Sequence, residues 1–407
     1  MALISESSST VLGTKNAVSY ENLIPTHNRL PVAFTHGQGV WLWDESGRKY
    51  LDGLAGIAVN SLGHAHPRLT HAISEQAGRL IHVSNNYRIP VQARLATRLA
   101  ELSGMRQVFF TNSGTEANEC AIKLARLFGH KRGIAEPKIV VMEKAFHGRT
   151  LGSLSATAKE DIRKGFGPLL GGFVRVPFDD PSAIEAAAQD PDVVAVLLEV
   201  VQGEGGINLF SAENLQRVQH LSDQRNILLM IDEIQTGIGR TGSYFAFQHA
   251  GIVPDVITLA KGLGGGVPIG ACVVGEKAMD IFSVGSHGST FGGNPLVCAA
   301  ASAVLDVMQE SDLCKNAAVV GAHIRQRLKA EFEGLGGVRD VRGLGLLIGV
   351  ELDRPCAAVV AQALEAGLLL NVTAGNVVRL VPPLIITREE GDMMVDILVP
   401  VVRQFLQ

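Results

Sequence analysis

Between residues 107 and 274 the chain repeats one pattern: a short, continuous apolar run, then a loop, then in most cases an amphipathic helical stretch. The runs are 107–110, 138–142, 193–199, 227–231, 256–259 and 271–274, with helical spacing between most of them, as at 213–224. An apolar run without polar alternation needs cover on both faces. The pattern therefore predicts an α/β fold with a mostly parallel sheet between helices. In such sheets, side chains that do chemistry gather at the carboxyl ends of the strands.

With 407 residues the chain is long enough for more than one domain. Residues 31–52 alternate around Gly37, Gly39 and Gly47, which predicts a small antiparallel hairpin. His64 and His66 precede Pro67, a residue suited to open a helix; without a third ligand nearby they read as a turn with capping or packing roles, not a metal site. A helix is expected at 91–102. An alanine-rich helix starts at Pro295, and helix at 314–332, strands at 337–342 and 346–352 and a last helix at 387–405 suggest a small α+β domain. The expected division is 1–66, 67–309 and 310–407, with the first and last segments sharing the small domain.

The 36 basic and 40 acidic residues, net charge −4, include no basic run suited to nucleic acid or a membrane surface. Five scattered cysteines without a CxxC pair read as reduced thiols, neither a disulfide framework nor a zinc site. No signal-peptide pattern or long charge-free apolar run occurs, so a cytoplasmic protein is expected. The Ser/Thr-rich opening at 5–10 reads as a disordered tail, with an organellar address left open.

Four strand ends carry candidate chemistry. After Phe109 and Phe110, the turn Asn112-Ser113-Gly114-Thr115 opens a helix with apolar positions 117, 120, 121, 124 and 128. Free N–H groups, hydroxyls and the helix dipole suit a phosphate there, and a plain Ser cap is the alternative. Phe146 and Arg149 follow the next run and offer an aromatic face and a carboxylate clamp; buried Phe and surface Arg is the other reading. Asp232 ends an apolar run, where it could hold a pyridine nitrogen protonated, bind a metal or cap a helix. Lys261 ends another and is followed by Gly262, Gly264, Gly265 and Gly266. It reads either as an ordinary strand-end charge or as an amine that loses its proton and attacks a carbonyl to form a Schiff base. The GxGxxG stretch 237–242 follows an acid and precedes no helix start, which weighs against a nicotinamide-dependent oxidoreductase. Phosphate cradle, stacking aromatic, acid and lysine together are what pyridoxal 5′-phosphate requires.

The motifs Asn112-Ser-Gly-Thr-Glu-Ala-Asn118, Phe146-His-Gly-Arg149, Gln202-Gly-Glu-Gly-Gly206, Asp232-Glu-Ile-Gln235, Lys261 and Gly288-Ser-Thr-Phe-Gly-Gly-Asn-Pro295 resemble those of the class III pyridoxal-phosphate aminotransferases, from about Pro31 onward. Residues 53–59, 285–290 and 342–349 are most similar to the branch of arginine biosynthesis acting on N2-acetylornithine. The resemblance implies a fold type I protein with a seven-stranded sheet, and a homodimer with shared active sites. It puts Ser113, Gly114 and Thr115 on the cofactor phosphate with Thr290 from the partner subunit, Phe146 on the ring, Asp232 at the ring nitrogen and Gln235 near the phenolic oxygen. Lys261 would carry the cofactor and move a proton between the substrate carbon and the cofactor's C4′. Arg149 would bind the acetylornithine carboxylate with Ser289 beside it. Glu204 would neutralise Arg379 for the distal amine and release it for the α-carboxylate of 2-oxoglutarate or glutamate. Succinylornithine, ornithine, 4-aminobutyrate and N-acyl-lysine are alternative donors, and a non-catalytic relative of the same fold is a further reading. Two departures stand out. Val200 replaces the usual proline after Glu199, which leaves the role of Glu199 open, and Gly56 stands where ornithine aminotransferases tend to carry an aromatic, leaving room for an acyl group.

Overall fold

The six expected strands form in the computed structural model, and a seventh, Phe173–Val176, joins them in one sheet. The structure describes residue 20 and residues 22–407. The expected tail at 5–10 lies outside the described residues, and those described within the first 33 carry no helix or strand. Residues 34–407 form one compact unit.

The sheet order is Gln107–Thr111, Gly270–Val274, Val256–Leu259, Leu228–Asp232, Val193–Leu198, Lys138–Met142, Phe173–Val176. Gly270–Val274 runs antiparallel to both neighbours, and every other pair is parallel. This sets the amino end of Gly270–Val274 beside the carboxyl ends of the other six. The central runs Val193–Leu198 and Leu228–Asp232 are buried along their whole length, as two-sided cover demands. The helix Gly114–Lys131 packs one face through Ala117, Cys120, Ala121, Leu124 and Ala125.

A second sheet pairs Phe34–Gln38, Trp41–Asp44 and Lys49–Asp52 with Leu368–Leu369 from near the other end of the chain. A third joins Val338–Leu344, Leu347–Leu352, Val377–Leu380 and Asn371–Thr373. The helices Leu313–Phe332 and Arg388–Leu406 flank this part; the latter opens with a capping box between Thr387 and Glu390. His64 bonds Asp52 at 2.7 Å, while His66 precedes the Pro67–Arg79 helix without a side-chain cap bond. Residues 237–242 form turns, and the buried Arg240 donates to the carbonyls of Leu346 (3.1 Å) and Pro382 (2.5 Å). That stretch works as a clip between loops. Among the described residues no helix is long and apolar enough to cross a membrane.

Candidate active site

A cavity of about 360 Å³ opens at the carboxyl end of the large sheet, lined by Ser113, Gly114, Thr115, Phe146, Arg149, Glu199, Glu204, Asp232, Gln235 and Lys261, among others. Nine of the residues expected from the sequence therefore meet around one space: Ser113, Gly114, Thr115, Phe146, Arg149, Glu204, Asp232, Gln235 and Lys261. Arg379 stands just behind this lining, bonded to two of its members. Ser289 lies at its edge, within 3.4 Å of the Asn112 amide, and Thr290 is exposed and outside the lining.

Asp232 caps the strand Leu228–Asp232 and is 4 % exposed. Its Oδ2 accepts from Asn118 Nδ2 at 2.8 Å and bonds His147 Nδ1 at 2.8 Å, while Oδ1 accepts the Ile234 N–H at 3.0 Å. Asn118 is itself fixed by donating to the His147 carbonyl at 2.6 Å and accepting from Thr258 Oγ1 at 2.8 Å. A buried carboxylate needs this many partners to stay in place. Sequence reasoning named Asp232 but gave no role to Asn118, Thr258 or His147; the available signal was a polar side chain at 118 interrupting an otherwise apolar helix face.

Lys261 follows the strand Val256–Leu259 with a left-handed φ of 43°. Burial, reinforced by the Arg379 charge, pushes its ammonium below the ordinary lysine range against the opposing pull of Glu204, Asp232 and Glu199. A lysine so placed gives up its proton more readily than one in water. Glu199 is also in the lining: Oε1 accepts the Phe146 N–H at 3.4 Å and Oε2 has no partner among the described residues. Burial and the nearby Asp232 raise its pKa well above the ordinary carboxyl value. His147, Glu199 and Asp232 bring ligand atoms within 4.8 Å of one another. The His147 Nδ1 and Asp232 Oδ2 atoms are spent on each other, which leaves a poor set for a cation.

At the helix opening, Ser113 accepts the Glu116 N–H at 3.3 Å, which is the cap reading. Thr115 Oγ1 is turned to Ser153 (2.6 Å) and Thr150 (2.8 Å). The hydroxyls are thus engaged, and the anion-facing groups of this turn are the first N–H groups, which have no acceptor within the helix. Gly114 is required by packing, since a Cβ there would sit 2.7 Å from Ile234 Cδ1.

Arg379 on the strand Val377–Leu380 is fully buried. Its Nη1 donates to Glu204 Oε1 at 2.6 Å, the Gly203 carbonyl at 3.0 Å and Gln235 Oε1 at 2.9 Å; Nε donates to Asn371 Oδ1 at 3.0 Å, and Nη2 has no partner among the described residues. Burial pushes Glu204 up, but the Arg379 charge and hydrogen bond outweigh it and hold the carboxyl below its usual range. Gln235, expected near a phenolic oxygen, lines the cavity and accepts at its Oε1 from Arg379 Nη1. Gly56 is exposed and left-handed (φ 64°) and lies outside the lining, to which its own loop contributes Val59.

The donor set suits a flat, phosphate-bearing ring compound: N–H groups at one end of the cavity, a fixed carboxylate on its floor, an aromatic ring and a deprotonatable amine at its sides. The chain matches the family model for class III aminotransferases over residues 24–402 and belongs to that family. It is 58 % identical to acetylornithine aminotransferase 1 of Bordetella pertussis over 379 residues, covering 93 % of this chain and 96 % of that one. The structure of acetylornithine aminotransferase from Stenotrophomonas maltophilia K279a matches with TM-score 0.81 and 37 % identity over 92 % of this chain and 96 % of that one. An ornithine aminotransferase of Toxoplasma gondii, described with partial occupancy of pyridoxal phosphate at its active site, matches with TM-score 0.90 and 36 % identity over 95 % and 92 %.

Proposed function

We propose that the protein transfers the distal amino group of N2-acetyl-L-ornithine to 2-oxoglutarate, giving N-acetyl-L-glutamate 5-semialdehyde and L-glutamate, as a step of arginine biosynthesis. The observation that carries this reading is the convergence of Lys261, Asp232 and the Glu204 and Arg379 pair on one cavity. The similarity to the Bordetella enzyme supports the acetylated donor.

Pyridoxal 5′-phosphate, when bound, supplies an electron sink for the carbon that carries the amine. Ser113, Gly114 and Thr115 would hold its phosphate, joined by Thr290 of a second copy in a homodimer. Phe146 would cover the ring, and Asp232, oriented by Asn118 and His147, would keep a proton on the ring nitrogen. Lys261 would take the proton from the substrate's distal carbon and deliver it to the cofactor's C4′, a task its lowered pKa favours. Arg149 binds the substrate carboxylate with Ser289 nearby. Glu204 masks Arg379 while a distal amine reacts; an incoming α-carboxylate competes for the same guanidinium. Gln235, on Arg379 in this state, is free to turn to the ring once that arginine is engaged. The division into segments 1–66, 67–309 and 310–407 and a cytoplasmic location belong to the same reading.

The test is a panel of amine donors compared by kcat/KM with 2-oxoglutarate as acceptor. Acetylornithine is expected to exceed ornithine, 4-aminobutyrate and succinylornithine. A marked preference for free ornithine would remove the acyl assignment and leave the aminotransferase intact.

A further inference from the structure

The loop 203–207, which carries Glu204, has little stiffness of its own. Gly203, Gly205 and Gly206 leave its backbone free to move, and Ile207 sits at a φ of 57°, a left-handed value that a β-branched residue holds only when its surroundings impose it. Side chains impose it here. Each carbonyl of the loop accepts from one: Gly203 from Arg379 Nη1 (3.0 Å), Glu204 from Thr373 Oγ1 (2.6 Å), Gly205 from Asn208 Nδ2 (2.9 Å), and both Gly206 and Ile207 from Arg342. The Arg342 Nε reaches the Gly206 and Ile207 carbonyls at 3.1 and 3.0 Å, and its Nη2 reaches Gly206 at 2.5 Å. Arg342 is fixed in turn by Glu351 Oε2 at 2.5 Å and Asp340 Oδ2 at 3.3 Å.

Strand register brings these grips together. Arg342 lies opposite Gly349, Gly349 opposite Arg379, and Arg379 opposite Asn371 on adjacent strands, so the four share one face of their sheet. The loop rests on that row. Ile207 is buried over Gly349, where a Cβ would come within 2.9 Å of its Cγ1, and the two arginines flank this seat. We propose, on the reading that Glu204 masks Arg379 for a distal amine, that Arg342 is a positioning residue for substrate exchange: it fixes the backbone of 203–207 so that only the Glu204 side chain moves when Arg379 is unmasked. The Glu204 carboxylate meets Arg379 Nη1 at 2.6 Å. A backbone free to shift by about an ångström would carry that contact out of hydrogen-bond range. Arg379 would then stand bare for more of the time, which costs the distal amine its advantage and leaves glutamate, whose α-carboxylate needs Arg379 bare, little affected.

The experiment is a double-mutant cycle on the holoenzyme with Arg342→Ala, Glu204→Ala and the two combined, each followed by single-turnover absorbance with acetylornithine and with glutamate. Arg342→Ala is expected to lose about fivefold in kcat/KM for acetylornithine and less than about twofold for glutamate. The combined variant should lose no more than Glu204→Ala alone, because the loop then has no carboxylate to position. Amide hydrogen exchange at 203–207 should be faster in Arg342→Ala than in the parent. A residue that only props up the fold would slow both half-reactions alike. Equal losses with both donors, losses that multiply in the combined variant, or unchanged exchange at 203–207 would each overturn the proposal and leave the masking by Glu204 standing. A Glu204→Ala enzyme that treats both donors alike would remove the masking, and the proposal with it. Should Arg342→Ala fail to fold, Arg342→Lys, which keeps a charge beside Glu351 but lacks the fork that spans both carbonyls, is judged by the same outcomes.

Discussion

Arg379 shows how much a single buried charge constrains. It keeps bonds to the Gly203 carbonyl, Asn371 and Gln235 even without Glu204, so Glu204→Ala should leave the arginine in place and change only its charge balance. The half-reaction with a distal amine is then expected to lose about tenfold in kcat/KM, or about 1.4 kcal/mol, while that with glutamate changes less than twofold; single-turnover absorbance measurements with each donor separate the two. Equal losses for both donors would mean that Glu204 does not discriminate. At this scale the sequence was informative about charged residues in glycine-rich loops, because a Glu or Lys there has few structural uses. It was mute on Asn118, whose value depends on a contact with Asp232 across 114 positions that only the folded sheet creates.

At the scale of elements, the strand ends carry the site and set its tolerance to change. Adding a Cβ to Gly114 drives it into Ile234, which lines the cavity. Gly114→Ala should destabilise by about 1–3 kcal/mol, read from urea unfolding, and weaken cofactor retention alongside. Just past Asp232, Glu233 is buried, accepting from the Phe247 N–H at 3.0 Å and from Thr236. Burial raises its pKa from 4.5 to about 7. A carboxyl raised on folding contributes stability that is full below the unfolded value and is lost as pH rises through the folded one. Unfolding free energy should therefore fall by about 3 kcal/mol from this group between pH 4.5 and about 7, and Glu233→Gln should lack that slope; denaturant titrations at pH 5 and 8 compare the two. Parallel slopes would show that Glu233 stays ionised. Six of the seven sheet strands were legible because central runs are uniformly apolar. Phe173–Val176 was not, since an edge strand of four residues with Arg175 at its centre has no two-sided burial to betray it. The reversed direction of Gly270–Val274 was hidden in an apolar run as well, although the short link from Leu259 to Gly270 is too brief for a helical crossover and held the clue.

At the scale of the whole molecule, Thr290 is exposed and outside the lining of its own chain's cavity, and its proposed place is at the site of a second copy. In the proposed homodimer, Lys261→Ala and Thr290→Ala would each remove one contribution to a shared site. Mixing them under subunit exchange should restore activity above either alone, because one site of each mixed dimer regains both residues; no gain on mixing would argue for sites built within single chains. The fold class was readable from the repeating apolar runs. A small domain drawn from both ends of the chain was expected, but the partnership of Lys49–Asp52 with Leu368–Leu369 was not readable, because nothing in a local pattern says which distant strand completes a sheet.

That partnership has a consequence for how the protein is made. Lys49–Asp52 finds its parallel neighbour only at Leu368–Leu369, and the Leu51 N–H reaches the Gly367 carbonyl at 2.8 Å. During synthesis the large sheet has all its strands once Val274 has left the ribosome, whereas the early hairpin must wait, one edge open, until nearly the last residues emerge. A nascent chain stalled before residue 367 is expected to hold a protease-resistant centre and a cleavable beginning, so the amino-terminal strands are among the first made and the last secured.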